Sequence, residues 1–207
     1  MKAIIFDFDG VILDSVNVKT LAFQELYSEY GLEVQRKVKN YHLLNGGISR
    51  FEKFKYFHKN FLGIDITESE LNSLGDQFSN LVFDKVCSSK NIKGSLEFIE
   101  FASKNYLTFI CTGTPQNEIE SILEHIGIKK YFDKVYGSPK TKTTIVNNII
   151  LDYNLLNSEL LFIGDAMTDY KAALDTNINF IGVKNEETVF PKNTILVQDL
   201  NDIKKYL

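Results

Sequence analysis

The chain opens with the stretch AIIFDFDGVILDS, residues 3–15, in which apolar residues give way abruptly to two aspartates and a glycine. A short branched and aromatic run that ends at polar residues and glycine is typical of a buried strand followed by a loop. Asp7 also interrupts the run before it could serve as a signal peptide. We therefore predict a buried strand over residues 3–8, with Asp7 and Asp9 at its carboxyl end.

Four further strand-like runs follow later in the chain, at residues 106–111, 134–136, 160–163 and 178–183. Amphipathic patterns near them predict helices at residues 95–103, 114–126, 143–151 and 169–174. Short buried strands that alternate with helices indicate a parallel sheet covered on both faces. The sequence therefore predicts an α/β fold with a doubly wound, Rossmann-like core.

Residues 16–90 break this alternation, because they carry helical patterns and no convincing strand. We predict that they form an inserted helical cap domain, and that residues 1–15 and 91–207 form the catalytic core. Within the insertion, Thr67 and Glu70 have the spacing of a capping box at a helix start. The apolar face of the first helix is predicted to consist of Val18, Leu21, Ala22, Leu26 and Tyr30.

The composition excludes several classes of protein. The 207 residues carry 23 Lys and Arg against 27 Asp and Glu, so no basic field is available to hold nucleic acid. Two distant cysteines, Cys87 and Cys111, favour a reducing compartment over a disulfide scaffold. No stretch approaches the roughly 20 apolar residues of a membrane span. We expect a cytoplasmic monomer or homodimer with no nucleic-acid or membrane partner.

Polar segments follow four of the predicted strands. In open α/β sheets, ligands bind beyond the carboxyl ends of the strands. The segments there are DFDGVILDS at 7–15, CTGTP at 111–115, GSPKTK at 137–142 and GDAMTD at 164–169. They offer carboxylates, hydroxyls, backbone amides and lysines. Phosphoryl transfer needs such a set: a nucleophile, a proton donor, a cation and donors for the phosphoryl oxygens.

These four segments, in this order, resemble the signature motifs of the haloacid dehalogenase superfamily. Over nearly the whole chain the resemblance is to its capped phosphatases, the phosphoglycolate phosphatase and β-phosphoglucomutase group. It implies that Asp7 is the nucleophile, which becomes an aspartyl phosphate, and that Asp9 is the general acid and base. A carboxylate can attack without prior deprotonation at neutral pH, and a second one two residues away suits proton delivery to a leaving alcohol.

The resemblance also implies a magnesium site. Carboxylates at adjacent strand ends would repel one another unless a cation neutralised them, and an oxygen-only set suits Mg²⁺. We expect its ligands to be the Asp7 carboxylate, the Asp9 backbone carbonyl and the Asp165 carboxylate, with Asp169 completing the site. Asp169 could instead be a helix-start acid that the helix dipole favours.

The second motif is expected to bind the phosphoryl group. The resemblance assigns its hydroxyl, at Thr112, to the phosphoryl oxygens, and free amides at Gly113 and Thr114 ahead of a helix attract anions. Thr114 could alternatively serve only as the helix N-cap. The family also uses a lysine beside the nucleophile, for which Lys140 and Lys142 are both candidates, and we favour Lys142.

Substrate specificity is expected to lie in the cap, because capped relatives close it over the substrate. Arg50 follows a glycine turn that ends at Gly47, which could aim its planar guanidinium at an anionic or hydroxyl-rich substrate. Gly47 and Arg50 are therefore predicted substrate-binding residues, with an exposed helix-start arginine as the alternative. The histidines lack partners at ligand spacing and are expected to be ordinary surface or core residues: His42, His58 and His125.

The sequence thus predicts magnesium-dependent hydrolysis of a small phosphomonoester, such as a sugar phosphate, through an aspartyl phosphate. A phosphomutase similar to β-phosphoglucomutase would share the same residues and is the alternative. Dehalogenation is disfavoured, because attack on carbon has no use for an acid at Asp9. A catalytically silent binding domain is a third hypothesis, against which the retained charge cluster argues.

Overall fold

The computed structural model describes residues 1–207 and contains one six-stranded sheet. Its strands are β1 (Ala3–Phe6), β2 (Leu107–Pro115), β3 (Lys134–Ser138), β4 (Leu160–Gly164), β5 (Asn179–Val183) and β6 (Ile195–Val197). All neighbouring strands are parallel, in the order β3-β2-β1-β4-β5-β6. The predicted α/β fold class is confirmed, whereas β6 has no counterpart among the predicted strands.

Eight α-helices surround or extend this sheet. They are α1 (Val16–Leu26), α2 (Gly31–Leu44), α3 (Arg50–Phe57), α4 (Glu68–Cys87), α5 (Ser95–Asn105), α6 (Gln116–His125), α7 (Lys142–Asp152) and α8 (Met167–Asp175). Short helical turns lie at Ser28–Tyr30, His58–Leu62, Lys129–Tyr131, Asn157–Glu159 and Leu200–Tyr206. No α-helix combines the length and the apolar character that crossing a membrane requires.

Strand β1 explains why helices cover both faces of the sheet. Ile4 and Phe6 join one hydrophobic core, whereas Ala3 and Ile5 join a second core on the opposite face. Successive side chains of a strand point to opposite faces, so an unbroken apolar run needs cover on both. Apolar residues of α5 and α6 supply the first core, and those of α7 and α8 supply the second.

Helices α1 to α4 lie between β1 and α5 and form what we call the helical insertion. The predicted capping box is present at the start of α4, where the Glu70 amide donates to Thr67 Oγ1 at 3.3 Å and the Thr67 amide donates to Glu70 Oε2 at 2.8 Å. The predicted apolar face of the first helix is confirmed in part, because Ala22 is buried and Val18 and Leu26 pack against the core. It is wrong for Leu21, which is 56% exposed, and for Tyr30, which lies beyond α1 and is 40% exposed. The buried residues of α1 are Lys19, Thr20, Ala22 and Phe23.

Two predicted boundaries also need correction. The first strand ends at Phe6, so Asp7 already belongs to the loop. Strand β2 continues to Pro115, and α6 therefore begins at Gln116 rather than at Thr114. Thr114 is consequently not an N-cap, because the residue that precedes α6 is Pro115. Its hydroxyl is free for another role.

Candidate active site

The candidate site lies beside β1, at the point where the order of the strands in the sheet reverses. Strands are added on one side of β1 through β2 and β3, and on the other side through β4, β5 and β6. A crevice opens beyond the carboxyl ends of the strands at such a point, and ligands bind there. Asp7 follows β1 and Asp165 follows β4, while Thr112 and Gly113 lie near the end of β2. These four residues line one cavity together with residues of the helical insertion.

Three buried carboxylates cluster on the core side of this cavity, and two of them, Asp7 and Asp165, line it. Oxygen atoms of Asp7, Asp165 and Asp169 all lie within 4.8 Å of one another. Burial is the main cause that raises the pKa of Asp7, to about 7, and repulsion by Asp169 and Asp9 adds to it against the pull of Lys142. Burial and repulsion by Asp7 and Asp169 hold the pKa of Asp165 well above its usual range. The cluster therefore carries more negative charge than its surroundings neutralise.

One oxygen of this cluster has a single polar neighbour. Asp7 Oδ1 is buried, and its contact is the ion pair with the Lys142 ammonium, 2.9 Å away. A hard divalent cation coordinated by oxygens would complete such a set and would reverse the upward pKa shifts. Asp7 and Asp165 thus fit the donor chemistry of a magnesium site.

Asp169 differs from a free metal ligand because both of its carboxylate oxygens already have partners. Its Oδ1 pairs with the ammonium of Lys142, and its Oδ2 accepts the Ala166 amide at 3.0 Å. Both oxygens are therefore engaged, and the side chain is fully buried. This geometry suits a residue that orients Lys142 beside Asp7, and the Ala166 contact also resembles the capping role of a helix-start acid.

Lys142 is the lysine that the structure brings to Asp7, the predicted nucleophile. It is the first residue of α7, whose N-cap Thr141 accepts the Thr144 amide at 3.2 Å and so fixes where the helix begins. Burial alone would lower the pKa of Lys142, but Asp169 and Asp7 outweigh it and raise that pKa. Lys142 therefore stays charged. Lys140, the other candidate, is exposed on the loop before it.

A lysine that was not predicted holds Asp9. Lys19 Nζ lies 2.5 Å from Asp9 Oδ2 and donates to Thr114 Oγ1 at 2.7 Å, while Ser15 Oγ donates to Asp9 Oδ1 at 2.6 Å. Burial would raise the pKa of Asp9, but the charge and hydrogen bond of Lys19 overcome it and hold that pKa below its usual value. Asp9 is thus ionised and fixed in direction, and Thr114 belongs to this network.

The glycine turn of the insertion lies directly on the core. Gly47 has φ +76°, and a Cβ there would come within 2.3 Å of Thr168 Oγ1 and 2.8 Å of Lys142 Nζ. A Cβ on Gly113 would come within 2.4 Å of the Gly47 carbonyl oxygen. Thr168 Oγ1 also donates to the Gly46 carbonyl at 2.6 Å. The absence of side chains at these two glycines allows the insertion to close over the site.

Arg50 lines the cavity but is already paired. It is 4% exposed, its guanidinium forms a two-pronged ion pair with Glu118 of α6, and its Nη1 donates to Ser79 at 2.9 Å. The alternative of an exposed helix-start arginine is wrong. The bond to Glu118 instead joins the helical insertion to the core across a buried contact, which leaves Arg50 less free to bind a substrate than predicted.

Sequence reasoning also missed Lys53 and His42. Both are buried and line the cavity, and Lys53 Nζ lies 2.8 Å from His42 Nδ1. Lys53 stands three residues after Arg50 on α3, so the two cations share one helical face. The sequence signal that could have identified Lys53 is its place among the buried residues of α3, beside Phe54 and Phe57. His58 and His125 agree with the prediction, since His58 contacts Tyr27 at 3.0 Å in the core and His125 is exposed.

Comparisons with known proteins identify a family and several related phosphatases. A family model described as haloacid dehalogenase-like hydrolase matches residues 4–183. Phosphoglycolate phosphatase of Pasteurella multocida is 22% identical in an alignment of 192 positions that covers 88% of this chain and 85% of that protein. Phosphorylated carbohydrates phosphatase of Thermotoga maritima is 23% identical in an alignment of 186 positions that covers 87% of this chain and 84% of that protein.

Solved structures show the same fold. The structure of β-phosphoglucomutase from Clostridium difficile aligns with a TM-score of 0.80 and 24% identity, covering 100% of this chain and 95% of that one. A phosphoglycolate phosphatase described as predicted, from Haemophilus somnus, aligns with a TM-score of 0.75 and 20% identity, covering 100% and 97%. At these identities the likeness extends to the fold.

Proposed function

The chain belongs to the haloacid dehalogenase-like hydrolase family, and from that premise we propose that it is a phosphatase that uses Mg²⁺ to hydrolyse a small phosphomonoester through an aspartyl phosphate. Two curated relatives that align over most of their length are named as phosphatases. The observation that carries the proposal is the cluster of buried carboxylates, Asp7, Asp165 and Asp169, whose oxygens lie within 4.8 Å of one another beside one charged lysine, Lys142.

The metal would be held by the side chains of Asp7 and Asp165 and by the backbone carbonyl of Asp9. When bound, Mg²⁺ would neutralise the carboxylates and attract the phosphoryl oxygens. Asp169 would act on Lys142 rather than on the ion, because both of its oxygens already have partners. Residues 1–15 and 91–207 would then form the catalytic core, and residues 16–90 the cap that covers it.

Asp7 would attack the phosphorus atom. Its carboxylate is held between Lys142 and the strand end, so little rearrangement is needed before the reaction. The charge that develops on the phosphoryl oxygens would be met by the Lys142 ammonium, by the Thr112 hydroxyl and by the backbone amide of Gly113. Thr112 and Gly113 both line the cavity beside Asp7, which supports this assignment.

Asp9 would exchange protons with the leaving alcohol and then with water. Its contact with Lys19 keeps it ionised in the absence of substrate, which suits the base that activates water for hydrolysis of the intermediate. To act first as the acid it must take up a proton, and a phosphate dianion placed next to it favours that uptake. Lys19 would then position Asp9 in both steps.

The cavity is narrow as it stands. Its volume is about 70 Å³, less than half of the ~150 Å³ cavity that accommodates benzene. Phe23, Phe78 and Ile48 of the insertion line it together with Asp7. A phosphomonoester and a metal ion need more room than this, so the insertion must move to admit the substrate.

Phosphate release from a panel of small phosphomonoesters tests the proposal. We expect turnover with Mg²⁺, none with EDTA, and none in Asp7→Asn, whereas Asp14→Asn, which changes an exposed carboxylate of the same loop, keeps its activity. Reduction of the quenched enzyme with borohydride should trap the acyl phosphate at Asp7. An isomerised sugar phosphate without phosphate release would identify a phosphomutase instead. No turnover of any substrate would favour a silent domain.

A further inference from the structure

Lys53 is an ammonium group buried without an acid. The residue is 2% exposed, and its Nζ lies 2.8 Å from His42 Nδ1 and forms no salt bridge. An aromatic ring lies near the ammonium, since Nζ is 5.6 Å from the centre of the Phe23 ring. Burying an unpaired charge is strongly unfavourable, and an apolar residue of similar size would pack there at less cost. Packing alone therefore does not explain this lysine.

The other charges nearby do not neutralise it. Arg50 is matched by Glu118, and Lys19 is matched by Asp9. Burial is the main cause that lowers the pKa of Lys53, to about 7, and repulsion by Lys19, Lys142 and Arg50 adds to it, with Asp9 acting in the opposite direction. Lys53 is thus left without a countercharge on this wall of the cavity.

His42 provides a second unsatisfied group. When Lys53 is charged it can only donate, so Nδ1 of His42 then accepts, and burial keeps the ring neutral by holding its pKa well below the usual value. The ring proton then resides on Nε2, which is buried and faces the Val16 backbone at a geometry too poor for a full hydrogen bond. Lys53 without a carboxylate partner and a poorly satisfied N–H of His42 therefore line the same cavity as Asp7.

We propose that Lys53 and His42 bind a second anionic group of the substrate, a carboxylate or a second phosphate, while the phosphoryl group to be transferred lies against Asp7. The proposal rests on the proposed function, since it specifies which phosphomonoesters the enzyme selects. The anion would supply the missing countercharge for Lys53 and an acceptor for His42. Arg50 does not perform this role, because Glu118 already occupies its guanidinium.

Non-hydrolysable ligands test the site independently of turnover. Calorimetry with Mg²⁺ present would compare 3-phosphonopropionate, which carries a carboxylate, with 3-hydroxypropylphosphonate, in which a neutral hydroxymethyl group replaces it. Propane-1,3-bisphosphonate tests the second phosphate as the source of the anion. The proteins are the unmodified chain, Lys53→Met and the control Lys55→Met, which removes a lysine from the same helix that is exposed and paired with Glu52.

We expect the unmodified protein to bind at least one of the two ligands that carry a second anionic group, 3-phosphonopropionate or propane-1,3-bisphosphonate, about 30-fold or more tightly than 3-hydroxypropylphosphonate. An effect of this size is typical of a buried charge pair. Lys53→Met should reduce that preference to about threefold or less, and Lys55→Met should keep it. His42→Leu should lower the preference by a smaller factor, because the ammonium remains.

Equal binding of all three ligands by the unmodified protein would overturn the proposal, even if Lys53→Met fails to fold. A preference that survives in folded Lys53→Met would overturn it as well. Failure of the proposed function looks different: the binding preference would be intact, but no phosphomonoester would release phosphate. Circular dichroism of each variant establishes that it is folded.

Discussion

The two walls of the cavity carry opposite unbalanced charges. On the core wall, the carboxylates of Asp7 and Asp165 line the cavity, Asp169 lies within 4.8 Å of them, and one ammonium, that of Lys142, pairs with Asp7 and Asp169. On the wall formed by the helical insertion, Lys53 is buried with no carboxylate beside it. A protein that excludes water from like charges loses stability unless a ligand compensates. The comparison therefore indicates a cation on one wall and an anion on the other.

The two walls are also expected to have different roles, the core wall in catalysis and the insertion wall in the choice of substrate. The core wall residues come from the four segments that resemble family motifs, and they include Asp7, the proposed nucleophile. On the insertion wall, His42 and Lys53 come from helices α2 and α3 and line the same cavity. Changes on the first wall should abolish turnover, whereas changes on the second should alter which substrate is used.

The largest effect is expected for Asp7→Asn on the core wall. Loss of the nucleophile should reduce kcat by about 10⁴-fold or more, since removing an essential nucleophile elsewhere costs about 10⁶. The same change removes a repelling charge, so without Mg²⁺ the variant should unfold at a higher temperature than the unmodified protein. Steady-state kinetics and thermal unfolding in EDTA measure both. Turnover within tenfold of the unmodified protein would refute the role of Asp7.

Glu118→Ala tests the buried contact between the walls. Removing one partner of a buried ion pair leaves Arg50 uncompensated and should lower the free energy of unfolding by about 3–5 kcal/mol. The double variant Arg50→Met with Glu118→Leu should recover most of this loss, because it removes both charges. Urea unfolding gives the free energies. Glu100→Ala, which breaks the exposed pair with Lys104 on α5, is the control and should change little.

If the single and the double variants are equally unstable, the pair contributes packing rather than charge compensation. If both match the unmodified protein, the insertion does not close on the core in solution. Either outcome would weaken the comparison, since it treats the two walls as parts of one closed cavity.

The unbalanced charge of Lys53 should make stability depend on pH. Its pKa in the folded protein is about 7, below the ordinary value near 10.5 that the unfolded chain retains. Between these values the unfolded chain binds more protons, so the stability contributed at this site rises with pH, by roughly 1 kcal/mol per pH unit. The difference in unfolding free energy between the unmodified protein and Lys53→Met, measured at pH 7.5 and 9.0, isolates this contribution.

Equal differences at both pH values would show that Lys53 is solvated or paired, which would remove the unbalanced charge from the insertion wall. Addition of 3-phosphonopropionate at pH 7.5 sharpens the test. A bound carboxylate should favour the protonated ammonium and thus stabilise the unmodified protein more than Lys53→Met.

The core wall could be predicted from sequence, and the insertion wall could not. Asp7 and Asp165 stand directly after apolar strands, and parallel strands bring their carboxyl ends together. The position of these side chains follows from local pattern. Lys53 and His42 belong to different helices of the insertion, and their meeting depends on how those helices pack, which no short motif encodes.

Misjudged periodicity accounts for one specific failure. The apolar pattern places Leu21 and Tyr30 on the inner face of the first helix, yet the structure exposes both and buries Lys19 and Phe23. The aromatic ring of Phe23 packs against Phe54 and Phe78, and this packing turns Lys19 toward Asp9. A buried lysine on the inner face therefore hides the true pattern.

The smallest effect is expected far from both walls, at the capping box of α4. Thr67→Ala removes the side-chain acceptor for the Glu70 amide and should lower the free energy of unfolding by about 1 kcal/mol. Phe78 and Ser79, which contact Arg50, lie about three helical turns further along the same helix. Kinetics and anion preference should therefore stay within twofold of the unmodified protein. A loss of anion preference in Thr67→Ala would mean that the insertion wall depends on the stability of the whole helix, and its selectivity could then not be assigned to the charge of Lys53 alone.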